Sequence, residues 1–490
     1  MESGQRSFGQ IHFGNVSLGD VRRNQRLPQL VDAMVQHPGG TLPEKFSRPA
    51  DLEAFYRLCS AEEVTHGAVL GSHRPLVLQK LQSTRKFLLV IHDGTELDFT
   101  THESLQRRGQ IGNGSRRGYL GHNSLVVDPQ QGTVLGLANQ ILHTREEVPK
   151  DEGVAAKRAR ESRESRLWLK GTEGLPDNRK VVDVCDRGSD TFEFLEHEAN
   201  SGRTFVIRSR TDRVILLGHD DEASERSSLH AYARTLPAEA TSRATVRVDE
   251  DVLRERRAAK RQGSSAPIGT YREARLCLSA APVRLVAPHV KRGEHGNDPL
   301  CVWIVRIWEP NPPAGCEAVE WLLLTNHPIH TPADMRRVKT WYEWRWVVEE
   351  YHKALKTGCA IEKLQMRDES RLEPAIAVVS VVALLLLQLR EAARRPDAHT
   401  RRADELVDPE AIQVLSVWQH GESRPDWSVH DYYIALARLG GYRPRKDCPP
   451  GWQILWRGQT KLNLMLEGAR LSRKLAEATK KKGRKRCAKR

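Results

Sequence analysis

The chain has 490 residues, net charge +14 and a pI near 9.5, a length that admits more than one domain and a charge balance that suits a polyanionic partner. Its last eleven residues, 480–490, hold eight Lys or Arg and no acid, so the rest carries only +6 and the tail reads as a disordered, auxiliary grip on DNA phosphates. Eight cysteines without a Cys-x-x-Cys pair argue against a zinc site or a disulfide framework, and the polar N-terminus does not read as a signal peptide.

From about Phe13 to Ser72 short helices are predicted. Leu18-Gly19-Asp20 opens one that carries Arg22, Arg23 and Arg26 and stops at Gly39-Gly40; a second follows Pro49-Ala50-Asp51 and a third starts at Ser60. An arginine-bearing helix is an electrostatic footprint for DNA, and equally an ordinary helix with surface arginines. Residues 87–91 form an apolar run that predicts a central strand ending at His92, with Asp93 at its C-terminal edge. The basic, glycine-rich stretch 107–118 lacks the Gly-Lys-Ser/Thr ending of a nucleotide loop and reads as a mobile, DNA-tracking loop or a plain disordered connector.

Residues 125–128 and 134–138 flank Pro129-Gln130-Gln131-Gly132, a hairpin signal. A polar helical stretch follows, and 181–185 predicts a second buried strand that delivers Asp186; a helix near 192–199 and a strand at 204–207 come next. An Asp after a strand is also a common turn former or helix cap. Between 212 and 318 the strand-like segments 244–248, 274–278, 283–286 and 302–308 are separated by charged or proline-rich linkers, and 321–325 is a further buried run that begins with Trp321. The apolar run 374–387, interrupted by Ser380, is shorter than the roughly 20 residues of a membrane span and predicts a buried interior helix.

Residues 342–356 predict one continuous helix. At about 100° per residue, Tyr342, Arg345, Glu349 and Lys356 fall within about 60° of one another, a stripe that can hold a metal on its carboxylate and phosphate oxygens on its phenol and cations. A solvated face of paired charges has the same composition.

The pattern Tyr-x2-Arg-x3-Glu-x6-Lys, with Asp93 and Asp186 upstream of Glu349, resembles the DDE transposases of bacterial insertion sequences, in the group named after insertion sequence four, and within it the transposase of transposon five. The resemblance spans most of the chain. It includes the Leu-Gly-Asp-x-Arg-Arg opening and the phrases Gly440-Gly441-Tyr442-Arg443 and Pro449-Pro450-Gly451-Trp452-x3-Trp456-Arg457-Gly458. One departure is Arg187-Gly188-Ser189-Asp190, where the family often has Arg-Glu-Ala-Asp, which puts the local packing in question.

The resemblance implies an α/β protein with a ribonuclease-H-like core at 73–211 and 319–372, a β-rich insertion at 212–318, a helical DNA-binding domain at 1–72 and a helical dimerisation region at 373–479. In that core the first and fourth strands lie side by side, bringing Asp93 and Asp186 together. Those acids and Glu349 would be catalytic and would hold two Mg²⁺, with Mn²⁺ as substitute, for nicking, hairpin formation and strand transfer. Tyr342, Arg345 and Lys356 would hold a phosphate, while Trp321 and Arg208 would support an extruded base. His92 and His352 are read as non-ligating. The implied partners are transposon ends and target DNA, bound by a homodimer in the bacterial cytoplasm at the nucleoid and not at a membrane. An inactive DNA-binding relative, or a nuclease without strand transfer, is the alternative.

Overall fold

The computed structural model describes residues 6–146, 148, 151–217, 225–248, 252–254, 271–288, 298–313, 315–444 and 449–487. Five helices come first: α1 (Phe8–Phe13), α2 (Val21–Gln36), α3 (Leu42–Lys45), α4 (Pro49–Cys59) and α5 (His66–Ser83). Asp20 opens α2 as its cap, accepting from the N–H of Arg22 at 2.6 Å and of Arg23 at 3.3 Å. A boundary at 72 falls inside α5, which runs through Pro75 to Ser83.

The central elements are β1 (Leu88–Asp98), β2 (Gly109–Gln110), β3 (Arg117–Asp128), β4 (Thr133–His143), α6 (Val154–Ala159), α7 (Leu167–Gly171), β5 (Val181–Cys185), α8 (Phe192–Asn200) and β6 (Thr204–Arg208). They are followed by β7 (Val214–Leu217), β8 (Glu225–Ser228), α9 (Leu229–Thr235), β9 (Ala240–Arg247), β10 (Tyr271–Leu285), β11 (Leu300–Trp308) and β12 (Glu320–Thr325). Among the described residues all these strands share one mixed sheet, ordered β2-β3-β1-β5-β6-β12-β11-β10-β7-β8, with β4 on β3 and β9 on β10. β1 is antiparallel to β3 and parallel to β5, so the first and fourth long strands lie side by side.

Three local expectations are corrected. β1 does not stop at His92 but pairs with β3 as far as Asp98, because the antiparallel hairpin partner continues where the parallel partner β5 ends. Residues 107–118 are not a loose loop: Gly109 and Gln110 pair with Gly118 and Arg117, and the Arg108 guanidinium donates to the carbonyls of Leu105, Phe99 and Thr100 at 2.9 Å each. The expected strands 274–278 and 283–286 are one, β10, running through Pro282. Across from β11 that strand pairs with β9 up to Leu278 and with β7 from Arg284, so Pro282 lies in the gap where no ladder needs its missing N–H.

After β12 come α10 (Pro332–Glu343), α11 (Trp346–Lys353), α12 (Glu369–Arg394), α13 (Pro409–His420), α14 (Val429–Leu439) and α15 (Trp452–Cys487). A boundary at 372 falls within α12. This helix is apolar and long enough to cross a membrane, but 78% of its most apolar window is buried inside the protein, as the interior-helix reading expects. One hydrophobic core runs from Phe13, Leu27 and Leu30 through Ile91, Val182 and Val206 to Val378, Leu387 and Trp456, joining the N-terminal helices, the sheet and α15 around α12. A tail disordered from 480 is also corrected, since α15 continues through Cys487: six of the residues 480–487 are Lys or Arg, both good helix formers, and no proline intervenes. Residues 488–490 lie outside the described residues.

The glycine phrases near the C-terminus have a packing cause. A Cβ on Gly458 would stand 2.0 Å from the Leu436 carbonyl oxygen, and one on Gly440 would stand 1.9 Å from that of Ile454, so α14 and α15 touch backbone to backbone. Gly458→Ala is therefore expected to destabilise the protein by about 1–3 kcal/mol, the usual cost of overpacking. Urea unfolding checks this; an unchanged midpoint would show that the two helices are not in close register.

Candidate active site

The parallel ladder of β1 and β5 ends at the pair His92 and Cys185, so the next residues, Asp93 and Asp186, emerge together where the two strands part. Asp186 also caps a short turn, Arg187–Ser189, accepting from the N–H of Gly188 at 2.7 Å. Its turn-forming role and its place beside Asp93 are thus compatible. Asp93 accepts from the N–H of Gly94 at 2.8 Å.

Glu349 reaches the same place from α11. Arg345 links it to the strand: its guanidinium donates to Asp93 Oδ2 at 3.1 Å and to Glu349 Oε1 at 2.6 Å. Burial pushes the Asp93 carboxyl up to about 6, opposed by Arg345 and reinforced by the charges of Asp186 and Glu349. Three carboxylates and one guanidinium therefore share a partly desolvated spot.

The continuous helix over 342–356 is corrected. Between α10 and α11 the N–H of Arg345 bonds the carbonyl of Tyr342 at 3.0 Å and that of Val347 the carbonyl of Trp344 at 3.0 Å, three-residue turns that tighten the helix. Side chains three apart eclipse in such a turn, which sets Arg345 near Tyr342. Beyond Lys353 the chain widens into a π-turn, Ala354–Gly358, closed by the N–H of Cys359 on the carbonyl of Ala354 at 2.7 Å. Lys356 lies within this π-turn, where it pairs with Glu362 at 3.5 Å.

Tyr342 is buried edge-on against Trp321, ring centres 5.4 Å apart, with Arg208 beside its hydroxyl. Burial raises the phenol's pKa, against the pull of Arg208 and Arg345. Trp321 is half-buried. With Arg187, Arg208, Arg306 and Trp308 it lines a cleft of about 710 Å³ between the first strands and the inserted ones. Asp93, Asp186, Glu349, Arg345, Tyr342, Trp321 and Arg208 are thus brought together, and Lys356 is not.

Arg22, Arg23 and Arg26 lie apart, on α2. Arg22 is exposed, whereas Arg23 pairs with Glu63 at 2.7 Å and Arg26 with the buried Asp51. Both nitrogens of His92 are engaged within the protein, by Asp183 at 2.8 Å and Ser124 at 3.0 Å. Asp183 is in turn held by Arg203 at 2.6 Å; burial would raise its pKa, but Arg203 and His92 keep it below the usual range. Asp190 accepts from the N–H of Arg210 at 2.6 Å and of Thr211 at 2.8 Å and pairs with Arg213 at 2.5 Å, a local framework that Gly188 and Ser189 leave intact.

The sequence did not single out Glu350. It faces away from Glu349, accepting from the indole N–H of Trp346 at 3.2 Å and of Trp452 at 2.7 Å and pairing with Lys353 and Arg390, and so ties the Glu349 helix to α12 and α15. The one available signal was its spacing, with a Trp four residues before it and a Lys three after.

The donor set suits a hard divalent cation: three carboxylates whose mutual repulsion a cation relieves. Among the described residues no three His, Cys, Asp or Glu are close enough to enclose an ion as they stand. The Arg345 guanidinium lies between two of the acids and neutralises them in this arrangement.

A family model described as Transposase DDE domain matches residues 84–386, and one described as Transposase DNA-binding matches residues 5–64. Among solved structures, the chain is similar to that titled cryo-EM structure of piggyBac transposase synaptic complex with hairpin DNA, at 10% identity over 90% of this chain and 71% of that one. The TM-score is 0.32, too loose a likeness to carry weight.

The raised pKa of Asp93 makes a prediction. With the folded value near 6 and the ordinary value at 3.8, the cost of ionising Asp93 in the fold is absent below about pH 4 and complete above about pH 7. Asp93→Asn is expected to stabilise the protein in EDTA by about 2–3 kcal/mol at pH 8 and by almost nothing at pH 4. Urea unfolding at both pH values measures it, and an equal effect at the two would remove the electrostatic cause.

Proposed function

Because the chain belongs to the DDE transposase family, we propose that it catalyses cut-and-paste DNA transposition on a ribonuclease-H-like core, with Asp93, Asp186 and Glu349 as its catalytic acids. The observation that carries the reading is the meeting of Asp93 and Asp186 at the end of the β1–β5 ladder with Glu349 tied to the same point by Arg345. The strand order β4-β3-β1-β5-β6, with β1 antiparallel to β3 and parallel to β5, supports the ribonuclease-H-like assignment. The acidic signature supports a place in the insertion-sequence-four group, near the transposase of transposon five.

Asp93, Asp186 and Glu349 would hold Mg²⁺, two ions with Mn²⁺ as substitute, which when bound supplies an activated water and relieves charge on the leaving oxygen. The chain's own residues do the rest. Arg345, beside two of the acids, is the guanidinium in reach of a phosphate at that point, and its fork suits two phosphate oxygens. Tyr342, near Arg345 and edge-on against Trp321, fixes that side of the site. Trp321 and Arg208 edge the neighbouring cleft, where an indole face and a cation can support an extruded base while a hairpin forms between the strands. Lys356, paired with Glu362, would grip DNA farther along β1 and not at the acids.

The DNA-binding region at 5–64 would recognise the transposon ends, and the reactive complex would be a homodimer on ends and target DNA in the bacterial cytoplasm. Leu464 and Leu471, exposed and seven residues apart on α15, give that helix an apolar outer stripe suited to a second copy.

Asp93→Ala, Asp186→Ala and Glu349→Ala are each expected to abolish nicking of end DNA in Mg²⁺ while leaving end binding within about twofold, since a metal ligand is lost and no duplex grip is. Nicking and gel-shift assays test this; near wild-type nicking by any one of them would sink the assignment.

Of the three arginines on α2, the exposed Arg22 is the one available for phosphate. Arg22→Ala is expected to reduce the slope of log affinity against log salt by about 0.9, the contribution of one phosphate contact. A slope unchanged by the substitution would make α2 a structural helix only.

A further inference from the structure

Behind the acids lies a chain of buried amides and hydroxyls that the chemistry above does not use. Asn123 is the antiparallel partner of Asp93 in the β1–β3 ladder. Its Nδ2 lies 3.1 Å from Nε2 of His352, which stands on α11 one turn beyond Glu349. Both side chains are buried. One hydrogen bond therefore joins the residue opposite the first acid to the helix of the third.

The direction of that bond is set from behind. Gln140 on β4 donates from Nε2 to Asn123 Oδ1 at 2.8 Å and to the Ser380 hydroxyl at 2.9 Å, and its Oε1 lies 3.1 Å from His66 Nε2. With its oxygen already accepting, Asn123 must present its N–H₂ to His352, so Nε2 of His352 accepts and the ring proton sits on Nδ1. Burial holds His352 neutral, with its pKa lowered to about 3, which preserves that acceptor. Ser380 takes part twice, since its carbonyl accepts from the Tyr351 hydroxyl at 2.9 Å and so pins α11 to α12. The single hydroxyl in the apolar stretch of α12 thus sits where α11, β4 and α12 meet.

We propose that His352 and Asn123 are positioning residues, whose mutual hydrogen bond, oriented by Gln140, Ser380 and His66, sets the distance between Glu349 and Asp93. This rests on the reading of those two acids as metal ligands. Neither residue touches a reacting atom. Their loss acts through the ion requirement, as the loss of groups that orient a metal ligand commonly costs about 10–100-fold.

The test uses the full chain and a plasmid carrying the DNA that flanks its coding sequence, with nicking measured against Mg²⁺, end binding measured in EDTA, and melting temperature recorded. His352→Leu, which fills the space but cannot accept, is expected to raise the half-saturating Mg²⁺ at least about tenfold with end binding within about twofold. His352→Gln, whose amide oxygen can accept from Asn123, is expected to recover most of the loss, and Asn123→Ser to reproduce it. Equal Mg²⁺ requirements in wild type and His352→Leu, or equal losses in the Leu and Gln variants, overturn the proposal. If His352→Leu does not fold, Asn123→Ser decides: a wild-type requirement there overturns it and a raised one supports it. Failure of the wild type to nick in Mg²⁺ would instead overturn the reading of the acids themselves.

Discussion

The parallel pairing of β1 with β5 is the constraint on which the rest depends. Neighbouring strands in a sheet stand about 4.8 Å apart, so two acids leaving the ends of a shared ladder must be near one another whatever the surrounding loops do. Such closeness is unfavourable for two anions. The protein offsets it with Arg345, which contacts Asp93 and Glu349, and with burial that holds the Asp93 proton to higher pH. On the opposite face of the sheet, His92, Asp183 and Arg203 form a buried charged network that joins the same two strands one and three residues before the acids. The ladder thus carries a buried ion-pair network on one face and the acids with Arg345 on the other.

Glu349 is controlled differently, because it arrives on a helix. Four contacts seat that helix: Arg345 toward the acids, His352 toward Asn123, Tyr351 toward Ser380 and Glu350 toward Trp452. Arg345 and His352, seven residues apart, hold its sheet-facing side, while Tyr351 and Glu350 reach α12 and α15, and together they restrain both its rotation and its distance from the sheet. The tightened turn before α11 and the π-turn after it are consistent with a helix whose position is set by these contacts and not by regular winding. Irregular helix of this sort is frequent at functional sites.

Much of this was legible in the sequence where local chemistry and long-range placement agree. Asp186 follows a five-residue buried strand, the helix opened by Asp20 begins where a capping residue predicts, and Ser380 interrupts an apolar run that is indeed interior. Reading failed where pairing partners decide the outcome. The length of β1 depends on β3, and the continuity of β10 through Pro282 depends on which neighbour lies beside each residue, neither of which is a property of the segment itself. A uniform 100° periodicity cannot show the changes of pitch at Trp344 and Ala354, nor the pairing of Lys356 with Glu362. Asn123 and Gln140 carry no motif at all; they become informative only when the ladder sets them beside Asp93 and behind His352.

We propose that Asp93, Asp186 and Glu349 form one metal-binding site when DNA is present. Diffraction from crystals of the protein with end DNA and Mn²⁺, collected at a wavelength where manganese scatters anomalously, tests it most directly. Anomalous density is expected among the three carboxylates, with Arg345 moved off at least one of them. Manganese bound elsewhere in a complex competent to nick, with Arg345 still bridging Asp93 and Glu349, would contradict it.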